Sequence, residues 1–116
     1  MKTGHEYMDE RRKFERISIP ASAQIHLQTA SGKEIGPVSV VGRGGLMVDT
    51  QESFELGKKV ELRIMDEAEG IHRKVTAIAR YRQGQGVGFE FYHLDADAAV
   101  EIGVIIGKYY AHEAKK

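Results

Sequence analysis

The residues best suited to chemistry lie near the N-terminus, where the chain reads Glu-Arg-Arg-Lys-Phe-Glu-Arg over residues 10–16. Arg12 and Arg16 form an Arg-x-x-x-Arg pair, and Arg11 adds a neighbouring cation. A guanidinium group can hold a phosphate through two parallel hydrogen bonds, so these arginines are candidates for phosphate binding. The alternative is a solvated charge run, since three carboxylates at positions 9, 10 and 15 lie among the four cations.

Other kinds of reactive site find little support. The chain has no cysteine, which excludes a disulfide scaffold, a thiolate metal site and a cysteine nucleophile. Its five histidines are scattered and show no zinc-protease spacing. Gly84, Gly86 and Gly88 lead into a predicted strand and not into a helix, so a hairpin turn explains them better than a phosphate loop. We therefore predict that the protein has no catalytic residues, binds no metal and is not an enzyme.

The amino-acid composition of the chain argues against nucleic acids and membranes as its partners. The chain has 116 residues, enough for one domain, and seventeen Lys and Arg balance seventeen Asp and Glu. A net charge of zero argues against a general nucleic-acid binder, including an RNA-binding barrel, and against a polybasic membrane anchor. The longest apolar run, Val104–Ile106, is too short to cross a bilayer. The charged N-terminus does not resemble a signal peptide, so we expect a cytoplasmic protein.

The elements that must position the arginines are mostly strands. Apolar and polar residues alternate with period two, which indicates strands with one buried face. The predicted strands cover residues 17–27, 34–41, 46–49, 60–64, 75–81 and 87–91. Ala21, Val40 and Tyr81 are among the residues predicted to face inward, and Pro20 predicts an edge or a bulge. Six short strands separated by glycine-containing turns suggest a small antiparallel barrel.

In the last segment the apolar residues change from a period of two to the spacing of a helix. This pattern predicts a helix over residues 95–113, with Asp95 as its N-cap. Its apolar stripe is wide, with Ala98, Ile102, Ile105 and Tyr109 at helical spacing and further apolar residues on either side. One interpretation is a helix packed deeply against the barrel. The other is that a second face of the helix meets a partner or another copy of the chain. Residues 1–10 are predicted to be a flexible tail preceding a single domain over residues 11–113.

The arginine pair, the Gly44-Gly45-Leu46-Met47-Val48 segment, the six strands and the final helix together resemble the PilZ family over about residues 10–112. The resemblance implies a six-stranded antiparallel β-barrel with a C-terminal α-helix. It also implies a bacterial source and a receptor for cyclic di-GMP that changes its surface on binding and signals to a downstream protein. No other cofactor is implied.

The resemblance also implies a set of site residues. Arg12 and Arg16 match the family's first motif, and Arg11 and Arg43 are additional cations near the expected site, with Arg80 a weaker candidate. The second motif, Asp/Asn-x-Ser-x-x-Gly, is incomplete: the preferred register places Val40, Gly42 and Gly45 at its defined positions. A register shifted by three residues places Pro37, Ser39 and Gly42 there. Neither register contains Asp or Asn, so reduced affinity is expected.

Two hypotheses remain open at this stage. In the first, the chain binds cyclic di-GMP through Arg11, Arg12, Arg16, Arg43 and Gly45. In the second, it is a degenerate PilZ-like module that does not bind the nucleotide and acts through protein contact alone. The wide apolar stripe of the helix favours the second hypothesis, and it would also suit a homodimer formed through that helix.

Overall fold

The computed structural model describes residues 16–114, with side chains through residue 110. This range contains seven strands and one helix. They are β1 (Ile17–Ser18), β2 (Ile25–Thr29), β3 (Glu34–Val41), β4 (Gly45–Asp49), β5 (Lys59–Asp66), β6 (Ile71–Gln83), β7 (Gly86–His93) and α1 (Ala96–Ala114). The predicted tail over residues 1–10, together with Arg11 and Arg12, lies outside the described residues.

Six strands close into an antiparallel barrel. Their hydrogen-bonded order is β3-β2-β5-β6-β7-β4, and β4 pairs back with β3. Closure satisfies the backbone groups of both edges without a partner chain. The additional strand, β1, pairs with β3 and places Ile17 opposite Val41 and Ser18 opposite Val40. The predicted fold class, a six-stranded antiparallel barrel with a C-terminal helix, is therefore confirmed.

The first predicted strand is wrong in its extent, because the structure divides residues 17–27 into β1 and β2. Between them the chain turns, and the Ala23 amide donates to the Pro20 carbonyl over 2.9 Å. Ala21 lies in this turn and is exposed, although the alternation predicted that it faces inward. Pro20 has no amide hydrogen to donate to a ladder, so a break at this position follows from its chemistry.

The barrel interior is filled by the apolar residues of the alternating pattern. Leu27, Val48, Leu62 and Ala77 have no measurable exposure. Val40 departs from its predicted inward position because a register irregularity between Val38 and Val40 shifts the phase of β3. Val41 takes the core position, and Val40 is left half-buried on the outer surface.

Helix α1 packs against β1, β3 and β6. It begins where predicted, since Asp95 Oδ1 accepts a hydrogen bond from the Ala98 amide at 2.8 Å and so caps the N-terminus. Of the predicted stripe, Ala98, Ile102 and Ile105 are buried and Tyr109 is half-buried. The interpretation of a helix packed against the barrel is confirmed for this face.

Two ion pairs fasten α1 to the hairpin of β5 and β6. Arg73 Nη2 lies 3.0 Å from a Glu101 oxygen, and Lys108 Nζ lies 3.2 Å from a Glu69 oxygen. The hydrogen bond from Lys108 to Glu69 raises the lysine pKa above its ordinary value. Lys108 therefore keeps its charge until the pH rises through this raised pKa, above which the lysine no longer contributes to the pair. Because Lys108 is exposed, the pair orients the helix more than it stabilises the fold.

Candidate functional site

A groove of about 740 Å³ lies on the outer surface of the barrel. One side is formed by Arg16, directly before β1, and by the β3–β4 turn with Gly42, Gly44 and Gly45. The other side is formed by side chains from β6 and β7, namely Arg80, Tyr81, Gln83 and Glu90. A pocket of this volume is in the range that small ligands occupy.

The structure brings several of the predicted site residues together. Arg16 and Gly45 both line the groove, as do Val40 and Gly42. Pro37 and Ser39, which belong to the shifted register of the second motif, lie outside the groove, and the Ser39 hydroxyl donates to the Met47 carbonyl over 3.3 Å. The grouping of Val40, Gly42 and Gly45 in one groove favours the preferred register.

The structure does not bring Arg43 to the groove. Its guanidinium lies beside α1, where Nη1 is 3.9 Å from the position that a Cβ on Gly103 would occupy. The side chain of Arg43 therefore extends from the turn toward the helix, although its neighbours Gly42 and Gly44 line the groove. Of the other predicted cations, Arg11 and Arg12 lie outside the described residues.

Gly45 is required by the packing of the turn. A Cβ at this position would lie 2.1 Å from the Phe89 carbonyl oxygen, far inside van der Waals contact. In contrast, a Cβ on the adjacent Gly44 would meet nothing within 4 Å. The backbone of β4 can therefore approach β7 closely at Gly45 because that residue has no side chain.

A β-bulge shapes the opposite side of the groove. The register of β6 against β7 shifts between Ala79 and Tyr81, so Arg80 is the additional residue. Ala79 is buried, whereas Arg80 and Tyr81 are both exposed. Without the bulge, strict alternation would turn Tyr81 into the core, as the sequence pattern predicted, and that prediction is wrong.

The ring of Tyr81 lies directly over Gly88 of the neighbouring strand. A Cβ on Gly88 would be 2.3 Å from Tyr81 Cζ, so the ring occupies the space that any side chain there would need. The Tyr81 side chain is nevertheless 45% exposed. It therefore presents a flat aromatic surface within the groove.

An ion pair between β6 and β7 lies beside this ring. Arg80 Nε donates to Glu90 Oε1 at 2.7 Å, and about half of each side chain is exposed. Both Arg80 contacts reach the same carboxylate oxygen, so Glu90 Oε2 accepts no hydrogen bond from residues 16–114. The groove thus holds the cations Arg16 and Arg80 together with an acceptor on Glu90.

Sequence reasoning missed Tyr81 and Glu90 as groove residues. Glu90 has the same appearance in the sequence as any charged residue on the wet face of a strand. Ile78 interrupts the apolar–polar alternation of β6, but it pairs in register with Glu90 and therefore does not mark the bulge at Arg80.

Neither a metal site nor a transmembrane helix is found in the part of the chain that the structure describes. Residues 16–114 contain no cluster of three or more histidine and acidic side chains that could hold a metal ion. No helix in the same range is long and apolar enough to cross a membrane.

The family model for the PilZ domain matches residues 10–107. The chain belongs to the PilZ family. Among curated proteins, nothing matches this chain. The match covers the arginine pair, the groove and most of α1 of this PilZ domain.

Solved structures with the same fold include two small domains. An uncharacterized protein from Legionella has a TM-score of 0.60 at 12% identity, covering 87% of this chain and 98% of that one. The PilZ domain of CeSA from a cellulose-synthesizing bacterium has a TM-score of 0.57 at 17% identity, covering 80% of this chain and 95% of that one. At these identities the similarity concerns the fold.

Proposed function

We propose that this PilZ domain is a receptor for cyclic di-GMP that presents a changed surface to a downstream protein when the nucleotide is bound. PilZ domains are generally binding and adaptor domains for this nucleotide. The observation that supports the proposal here is that Arg16 and the Gly42–Gly45 turn, which are far apart along the chain, line the same groove. These are the positions that correspond to the two motifs of the family.

The chemistry of the groove suits a cyclic dinucleotide. Each phosphodiester carries one negative charge, which Arg16 can bind through a bidentate contact. Arg12 lies four residues upstream and would supply a second guanidinium. The bases need flat surfaces on which to stack, and Tyr81 offers one.

A route for the signal follows from the position of Arg16. It directly precedes β1, which pairs with β3 and contacts α1. A nucleotide bound through Arg12 and Arg16 would bias β1 and the helix toward one arrangement. This is a population shift and not a chemical reaction.

Val40 and Gly42 weaken the proposed site. Their side chains cannot supply the hydrogen bonds of the family's Asp or Asn and Ser. Each hydrogen-bonding group of the ligand left unpaired costs about 1–3 kcal/mol. Two such losses would weaken a micromolar ligand by about one to four powers of ten.

Calorimetric titration of the full chain tests the proposal. We expect saturable heat with cyclic di-GMP and much weaker binding of cyclic di-AMP, which has the same phosphates but different bases. The absence of saturable cyclic di-GMP binding up to near-millimolar concentration would exclude the receptor function.

Restoring the second motif should strengthen binding. In the double variant Val40→Asp, Gly42→Ser, we expect cyclic di-GMP affinity to rise by about tenfold or more, because a charge-assisted hydrogen bond contributes about 1.5–3 kcal/mol. Gly42 is not among the glycines with positive φ, so serine introduces no backbone strain there. The matched control is Pro37→Asp, which completes the shifted register with Ser39 and Gly42 and should leave the affinity unchanged. Unchanged or weaker affinity in the first variant would contradict the preferred register.

A second candidate function is protein contact through α1. Val100 and Val104 are 64% and 55% exposed, and Gly103 and Gly107 adjoin them on the same side of the helix. The proposed occupant is a second copy of the chain, because two copies of this exposed face, with its valines beside small glycines, can pack against each other about a two-fold axis. A dimeric mass by light scattering without nucleotide binding would favour this function over the receptor.

A further inference from the structure

The Arg80–Glu90 pair is a feature of the groove that neither family motif accounts for. Glu90 belongs to β7 and is paired with Ile78 across the ladder, while Arg80 lies at the bulge of β6. The bulge brings the guanidinium alongside the carboxylate, with Arg80 Nε 2.7 Å from Glu90 Oε1. Arg80 therefore fixes the direction of the Glu90 carboxylate at the surface of the groove.

The described residues leave the second oxygen of Glu90 unused. Both recorded contacts of Arg80 use Oε1, and Oε2 accepts no hydrogen bond from residues 16–114. The side chain of Glu90 is 54% exposed, so a ligand can reach it without any rearrangement of the barrel. Tyr81, on the same side of the groove, provides an aromatic face on which a base can stack.

A carboxylate beside a stacking surface matches the chemistry of guanine. The Watson–Crick edge of guanine presents two donors next to each other, N1–H and the 2-amino group. Oε2 of Glu90, which Arg80 does not contact, has two lone pairs and can accept from both of these neighbouring donors. Adenine presents an acceptor, N1, at the corresponding position, and two acceptors facing each other are unfavourable. Glu90 would therefore select guanine over adenine.

We propose that Glu90, oriented by Arg80, accepts hydrogen bonds from a guanine base and replaces the Asp or Asn that is missing at Val40. The inference rests on the proposed function, because it assigns a specificity-determining residue within the same groove. An ordinary exposed cross-strand ion pair would contribute little to the stability of the barrel and would have no effect on base preference.

The test compares two ligands that differ at the relevant atoms. Cyclic di-IMP keeps N1–H but lacks the 2-amino group of cyclic di-GMP. We expect the parent chain to prefer cyclic di-GMP by about tenfold or more, since one charge-assisted hydrogen bond is lost in cyclic di-IMP. In Glu90→Ala, this preference should fall by more than about threefold, whether or not the released Arg80 changes overall affinity.

The matched control is Glu61→Ala, which removes an exposed strand glutamate that does not line the groove. This variant should keep the parent's affinity and preference. If the parent binds cyclic di-GMP and Glu90→Ala retains its preference within about threefold, the inference is overturned and the receptor function stands. If the parent binds neither dinucleotide, the receptor function and this inference are both overturned.

Discussion

Gly45→Ala is expected to lower the free energy of unfolding by about 3 kcal/mol, the upper part of the usual range for overpacking. The new Cβ would lie 2.1 Å from the Phe89 carbonyl oxygen. This oxygen belongs to the backbone of β7, which is hydrogen-bonded to β6 on one side and to β4 on the other. Because a strand held on both sides cannot move away, the barrel must deform. Chemical denaturation of the ligand-free chain measures the loss.

The neighbouring glycine provides the control. Gly44→Ala adds the same methyl group in the same turn, but no atom lies within 4 Å of it, and the Gly44 φ is not positive. We expect its stability to stay within about 0.5 kcal/mol of the parent, as for ordinary surface substitutions. Equal stability of the two variants would contradict the close approach of β4 to β7. The contrast would show that Gly45 serves strand packing, whatever it contributes to a ligand.

Arg16→Ala is expected to weaken cyclic di-GMP binding by about 10–150-fold, which corresponds to the 1.5–3 kcal/mol of a hydrogen bond to a charged group. Arg16 is exposed and lines the groove, so its removal leaves no cavity in the core. Its effect on stability should therefore be small, and the loss should be confined to binding. Calorimetry measures the affinity, and denaturation of the same variant confirms that the fold is intact.

A charge control separates contact from general attraction. Arg63→Ala removes one positive charge from the exposed face of β5, away from the groove, and should change affinity by less than about threefold in physiological salt. Arg16→Lys keeps the charge but loses the planar fork, so we expect an affinity between those of the parent and Arg16→Ala. Parent-like affinity in Arg16→Ala would show that the nucleotide does not contact this residue.

The periodicity of the sequence was sufficient to predict most of the barrel. Residues such as Leu62 and Val75 occupy the buried face because alternating apolar residues have no other stable arrangement in a closed sheet. The helix was equally predictable, since Asp95 caps it and its apolar stripe faces the strands. These features depend on interactions that are short in sequence or repeated along one element.

The bulges could not be placed in advance. Each one reverses the phase of a strand, so that Val40 and Tyr81 lie on the outer surface although their patterns predicted the interior. Period-two alternation gives the face of each residue only while the ladder is regular. The bulge of β6 depends on how Tyr81 packs on Gly88, seven residues away on the next strand, and no local pattern contains that contact.

The candidate site could be predicted only in part, because some of its residues come together through strand pairing. Arg16 and Gly45 were identified through their family motifs, and both line the groove. Arg43 was chosen for its charge and its place in the turn, but it lies beside Gly103 of the helix. Glu90 was missed, because its relation to Arg80 arises from strand pairing.

Strand β1 has only two residues, and both of them pair with β3. Its first residue, Ile17, follows Arg16 of the groove directly and is 1% exposed in the core, while the same strand packs against the terminal helix. Arg16 is therefore adjacent in the chain to the strand that packs against α1, so a displacement of Arg16 would be transmitted directly to that contact. Because Ile17 is a buried core residue, truncating its side chain should lower the stability of the barrel and weaken the contact of β1 with the helix together.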